Sequence, residues 1–218
     1  DLFRIYGELG WWPAQSREEV LIGAILTQNT NWKNVEKAIE NMKKNGILTL
    51  SDINKIETER LSEIIKSSGF HNQKAERLKI LASLILQKYG KLENMKDLSD
   101  ARSFLSSIKG IGPETRDSIL LYALDFPVFV IDSYTIRFLS RYSNIDDYGN
   151  LATDVTKNIP TVDRLKNFHG MIVQVSKDYC RKDPLCDLCP INEKCMYAKS
   201  RNISRDYANK IDGKLLKK

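Results

Sequence analysis

The chain has 218 residues, 42% of them apolar, which is enough for one large or two modest domains with a real core. Lys and Arg number 34 against 28 Asp and Glu, a formal net charge of +6 that favours a polyanionic partner such as nucleic acid. No run of about 18 apolar residues exists, which excludes a membrane-spanning helix.

From the N-terminus, the three tryptophans come first, as Trp11-Trp12-Pro13 and Trp32, with Leu26-Thr27-Gln28-Asn29-Thr30 between them. Residues 18–26 are apolar at helical spacing behind Ser16 as N-cap. Trp32, Val35, Ala38, Ile39 and Met42 form a second helical stripe. Residues 61–65, 75–89 and 101–108 continue the helical series. Ser51, Thr58 and Ser99 are further expected starts, and Gly46, Gly69 and Gly90 are expected stops. Residues 128–131 (VFVI) read as an extended link after Pro127, not as a sheet. Residues 135–142 and 162–179 are helical again, 146–149 is a turn, and the basic tail at 210–218 is expected to fray. The predicted class is all-α. No signal peptide is visible, and the missing methionine before Asp1 suggests a trimmed N-terminus.

Four features carry possible chemistry. Lys109-Gly110-Ile111-Gly112-Pro113-Glu114-Thr115 joins two helical patterns. Its glycines allow φ > 0 and close backbone approach, so it is either an ordinary helical hairpin or a phosphate-binding turn. Asp132 follows the apolar link and precedes a helix. It is either a helix N-cap or a carboxylate placed to stabilise positive charge. The tryptophans are either core residues or stacking faces for a flipped base. The only cysteines, Cys180, Cys186, Cys189 and Cys195, follow the pattern C-x5-C-x2-C-x5-C. Clustered in this way they do not resemble a secreted disulfide framework, and a reducing cytosol is expected. An all-sulfur site suits an iron–sulfur cluster or zinc.

Three of these motifs in this order resemble the helix–hairpin–helix DNA glycosylases related to endonuclease III. The resemblance rests on Ser107-Ile108-Lys109-Gly110-Ile111-Gly112, then Thr115, residues 119–124, Phe126-Pro127, Val130-Ile131-Asp132 and the cysteine loop. Trp11-Trp12-Pro13, Leu26-Thr27-Gln28-Asn29-Thr30 and Ser68-Gly69-Phe70-His71-Asn72-Gln73-Lys74-Ala75 are similar to the 3-methyladenine glycosylases of that superfamily.

The resemblance implies a two-domain all-α fold. A six-helix bundle at residues 15–128 would carry the hairpin, and residues 1–14 with 129–218 would form an iron–sulfur cluster domain. Asp132 would be the catalytic carboxylate. Trp11, Trp12, Pro13 and Trp32 would form the base pocket. Gln28 would probe the gap left in DNA and Phe70 would act as a wedge, with Lys109, Gly110, Gly112 and Thr115 also binding DNA. The four cysteines would hold a [4Fe–4S] cluster, although the family's first cysteine gap is one residue longer. Arg181, Lys182 and Lys194 on that loop could contact phosphates.

Bifunctional members carry a lysine nucleophile where this chain has Glu114, which implies a monofunctional enzyme. The expected activity is base excision repair on damaged double-stranded DNA by a cytoplasmic, nucleoid-associated monomer. The expected substrate is an alkylated purine such as 3-methyladenine. Mismatched uracil or thymine, or an oxidised pyrimidine, are alternative substrates. A non-catalytic DNA-structure binder and a zinc-stabilised transcription module are the other readings kept.

Overall fold

A computed structural model describes residues 1–145, 147–159 and 161–201. The basic tail at 210–218 lies outside the described residues, as does Asp146 of the expected turn. Among the described residues every regular element is helical. Residues 128–131 belong to no helix and to no strand. The chain divides into two compact units, Trp12–Val128 and Asp1–Trp11 with Phe129–Lys218.

In the unit Trp12–Val128 the helices are α2 (Arg17–Leu26), α3 (Trp32–Lys44), α4 (Leu50–Lys55), α5 (Thr58–Ile64), α6 (His71–Tyr89), α7 (Leu98–Ser107) and α8 (Pro113–Ser118). A wider π-helical turn, Ile119–Ala123, extends α8. Helix α6 packs against α2, α4 and α5 and buries Ala75, Leu78, Leu81, Ala82 and Ile85. Helix α2 is apolar nearly all round and buries Val20 to Leu26 between α3, α6 and the π turn. Burial of such side chains contributes roughly 1.5–3 kcal/mol each, which holds the hairpin helices on a rigid base.

The helix starts show where local patterning misleads. Ser16 caps α2 as expected, accepting the Glu19 N–H at 3.1 Å. Ser51, however, lies inside α4, whose cap is Thr49 in a reciprocal capping box with Asp52. Ser99 likewise lies inside α7, capped by Asp97 through the Asp100 N–H at 2.7 Å. Thr58 is the first helical residue after Glu57. A cap oxygen must reach an N–H two or three residues ahead, and the preceding Thr49 and Asp97 satisfy that reach. The chain leaves its helices at Gly46, Gly69 and Gly90, all with positive φ, as expected.

The other unit contains α1 (Leu2–Tyr6), α9 (Ser133–Ser143), α10 (Leu151–Asn158) and α11 (Val162–Asp178). Helix α11 packs against α9 and α1. Its buried Asn167 binds the N-terminal segment twice, accepting from Leu9 N and donating to Gly7 O, both at 2.9 Å. The Tyr6 hydroxyl donates to Asp178 at 3.2 Å. Phe129, Val130, Leu165, Ile172 and Val175 are fully buried here.

Candidate functional site

The hairpin between α7 and α8 is residues 108–112. Gly110 has φ +92°, a conformation that other residues rarely adopt. Gly112 does not: at φ −80° it is the N-cap of α8, and Pro113 takes the first helical position. Only one of the two glycines is therefore required by its backbone. Lys109 and Glu114 are exposed on either side, while Ile111 is buried. Thr115 is buried, and its hydroxyl accepts from Gln28 Nε2 at 3.0 Å. The same Gln28 Nε2 donates to Gly110 O at 3.0 Å, and Gln28 Oε1 accepts from Arg77 at 2.7 Å. The 27–30 turn and the hairpin are thus joined through one glutamine, with Arg77 of α6 as an unforeseen third member.

Phe70 is 63% exposed and sits in left-handed conformation, φ +46°, at the start of α6. It is not a core residue. Lys74, one turn later, is buried and donates to Leu26 O, Thr30 Oγ1 and Ser68 O. A lysine on an amphipathic helix ordinarily reads as solvated surface, so the sequence carries little signal for this role.

Trp12 lies edge-on to Trp32 with ring centroids 5.6 Å apart, and 5.2 Å from Tyr122 of the π turn. Tyr122 was not anticipated. The Trp12 indole packs over Gly23, where an added Cβ would come within 3.2 Å of Nε1. Among the described residues that buried Nε1 has no hydrogen-bond partner. Trp32 donates to Glu36 at 2.8 Å, and Pro13 is exposed. Trp11 belongs to the other unit, where it packs on Gly170 with the Lys177 ammonium 5.0 Å from its ring centroid. The two adjacent tryptophans are therefore held by different partners.

Asp132 is the N-cap of α9, and its Oδ1 accepts the Thr135 N–H at 2.7 Å. Its other oxygen lies 3.5 Å from His169 Nε2 on α11, a second residue the sequence did not single out. The carboxyl is buried. Burial opposes its charge, but the neighbouring His169 and then the Thr135 N–H together hold it below the usual carboxylate range. The arrangement is a buried carboxylate kept ionised, which can stabilise a developing cation.

The four cysteines line one cavity with Phe138, Arg141, Tyr142, Tyr179 and Ile191. None is in a disulfide. Arg141 donates toward Cys180 Sγ at 3.5 Å and Arg201 toward Cys186 Sγ at 3.9 Å. Burial, and then the neighbouring Cys195, Cys180 and Cys186, push the Cys189 thiol up. Among the described residues no group of three or more His, Cys, Asp and Glu side chains is close enough to hold a metal ion. Of the loop's basic residues, Lys194 pairs with Asp1 at 2.9 Å, and Arg181 and Lys182 are exposed.

A glycine hairpin of this form, mounted on an all-α bundle, is a helix–hairpin–helix arrangement. The profile of the HhH-GPD superfamily of base excision DNA repair proteins matches residues 22–160, and the chain belongs to that family as a DNA glycosylase. A Methanocaldococcus jannaschii protein named as a candidate DNA repair glycosylase is 46% identical, over 89% of this chain and 92% of its own length. The crystal structure of H. pylori 3-methyladenine DNA glycosylase bound to 1,N6-ethenoadenine is 36% identical with a TM-score of 0.70. That match covers 82% of this chain and 92% of the other. A non-covalent endonuclease III–DNA complex is 20% identical with a TM-score of 0.76, covering 92% of each chain, and shares the fold.

Proposed function

We propose that the chain is a monofunctional glycosylase that extrudes a damaged base from double-stranded DNA and hydrolyses its N-glycosidic bond. The observation that carries the reading is Asp132, buried, ionised and bracketed by His169 and the Thr135 N–H. Glycosidic cleavage builds positive charge on the deoxyribose, and a carboxylate in a dry site lowers that barrier and can help activate water. Glu114 supports the absence of strand nicking, because a carboxylate cannot form the imine that a lysine nucleophile would.

The substrate favoured is an alkylated purine. The cluster of Trp12, Trp32 and Tyr122 offers electron-rich faces suited to a cationic base. The H. pylori relative, a 3-methyladenine glycosylase with a bound ethenoadenine, supports the same class. In this reading Pro13 borders the pocket, Gln28 and Phe70 fill the gap left in the duplex, and Lys109, Gly110, Gly112 and Thr115 bind the DNA backbone. The enzyme would act as a monomer on cytoplasmic or nucleoid DNA.

The cysteine loop is read as a [4Fe–4S] site held by Cys180, Cys186, Cys189 and Cys195. One C-x2-C pair with two outlying cysteines around one cavity supports a cluster over zinc, whose sites commonly pair two such knuckles. Burial, and then its cysteine neighbours, raise the Cys189 thiol, and a bound cationic group would favour its thiolate form. Bound there, a cluster would be held by these four thiolates and would cross-link the loop that carries them.

An excision screen across duplexes bearing alkylated purines, mismatched uracil or thymine, and oxidised pyrimidines, with and without alkali, tests the reading. Release of an alkylated purine with strand breaks only after alkali is expected. Release of another base would overturn the substrate, alkali-independent breaks would overturn the monofunctional assignment, and lesion binding without any release would overturn the catalytic role.

A further inference from the structure

Phe70 carries two costs at once. Its left-handed backbone is disfavoured for a residue with a Cβ, and its ring is 63% exposed. Such strain persists where the surroundings over-determine it and where a function uses it. Asn29, on the neighbouring turn, is left-handed as well, at φ +52°.

The surroundings that hold both turns come from one face of α6. Lys74 Nζ donates to Leu26 O at 2.8 Å, Thr30 Oγ1 at 2.7 Å and Ser68 O at 2.6 Å. Leu26 is the last residue of α2, so its carbonyl is one that the helix leaves open, at the negative end of the helix dipole. Thr30 and Ser68 flank the two left-handed residues. The three named acceptors are neutral oxygens, an expensive environment for an ammonium unless the bonds serve to fix geometry. One turn further along α6, Arg77 Nη1 donates to Gln28 Oε1, and Gln28 passes the connection to Gly110 O and Thr115 Oγ1 of the hairpin.

We propose that Lys74 and Arg77 are positioning residues that set Phe70 and Gln28 as one rigid gap-filling device registered to the hairpin. The inference rests on the reading of the chain as a base-extruding enzyme. Lys74 fixes the turns that carry the two side chains, and Arg77 fixes the Gln28 amide and ties it to the backbone that engages DNA. An exposed phenylalanine held rigidly can replace an extruded base in the stack, whereas a loosely held one loses that advantage to ordering entropy.

The test uses the full chain and a duplex holding a tetrahydrofuran abasic analogue opposite 2-aminopurine, whose fluorescence reports stacking in the gap. Wild type, Lys74→Met and Arg77→Met are compared at saturating protein. The proposal expects a fluorescence change with wild type that falls by at least about fivefold in each variant, from loss of the fixing hydrogen bonds. Affinity for undamaged duplex, carried mainly by backbone contacts, should stay within about threefold of wild type. A wild-type fluorescence change in both variants would overturn it. So would parallel loss of the signal and of duplex affinity, which would mark a purely structural role, or absence of any signal with wild type. Should Lys74→Met fail to fold, the half-buried Arg77 position decides alone. Base release is not the readout, so failure of the excision reading would appear separately, as no release by wild type in the lesion screen.

Discussion

His169 Nε2 stands 3.5 Å from Oδ2 of Asp132, while Oδ1 of the same carboxylate is occupied by the Thr135 N–H. One aspartate thus caps a helix and presents its remaining oxygen to a buried imidazole. The two readings open from local pattern, helix cap and reactive carboxylate, are compatible in one side chain. Substitution by asparagine separates them. Asparagine caps a helix as well as aspartate does, so Asp132→Asn should melt close to wild type and keep its DNA affinity. Its single-turnover excision rate should fall by about 10²–10⁴-fold.

Lys74 makes stability depend on alkaline pH. Burial, and then the nearby Arg77 charge, pull its pKa from 10.5 to about 8. Between those values the unfolded chain binds more protons at this site than the folded chain, so this group's contribution to the unfolding free energy rises with pH through the window. Urea titrations of wild type and Lys74→Met across that window should show wild type gaining stability relative to the variant as pH increases.

Gly110 leaves room for Arg77 as well as for its own backbone. A Cβ at position 110 would collide with the Arg77 Nε, and φ is +92°. Gly110→Ala should lose about 1–2 kcal/mol from backbone conformation alone. It should also displace the guanidinium from Gln28. Thermal melts and duplex affinity should both fall.

In the other unit, Gly170 of α11 is the contact for Trp11: an added Cβ would stand 2.6 Å from the indole Cβ and Cγ, with 3.1 Å to Cδ2. Gly170→Ala should cost about 1–3 kcal/mol through overpacking. Quenching of tryptophan emission should change with it, since the Lys177 ammonium lies over the same ring.

Serine at any one of Cys180, Cys186, Cys189 or Cys195 should remove the visible thiolate-to-iron absorption and lower the melting temperature. Chelation of iron under reducing conditions should do the same in wild type. A colourless, zinc-containing wild-type protein would contradict the cluster.

Much of this protein could be read in one dimension. The helices announce themselves by apolar spacing, because each buries one face within a short stretch of chain. The glycine hairpin, Asp132 and the cysteine quartet stand out because tight turns, helix caps and thiol clusters each draw on few residue types. Helix starts were less legible: Ser51 and Ser99 look like caps, yet Thr49 and Asp97 hold those places because a cap depends on reach, not on residue type alone.

What only the tertiary structure decided are the partnerships between distant residues: Tyr122 against Trp12, His169 beside Asp132, and Lys74 and Arg77 behind the 27–30 turn. Periodicity records which face of a helix is buried, but not which distant oxygen waits there. For Lys74 it points the wrong way, since its ammonium is held by acceptors drawn from α2, from the 27–30 turn and from the turn before α6, and those converge only on folding.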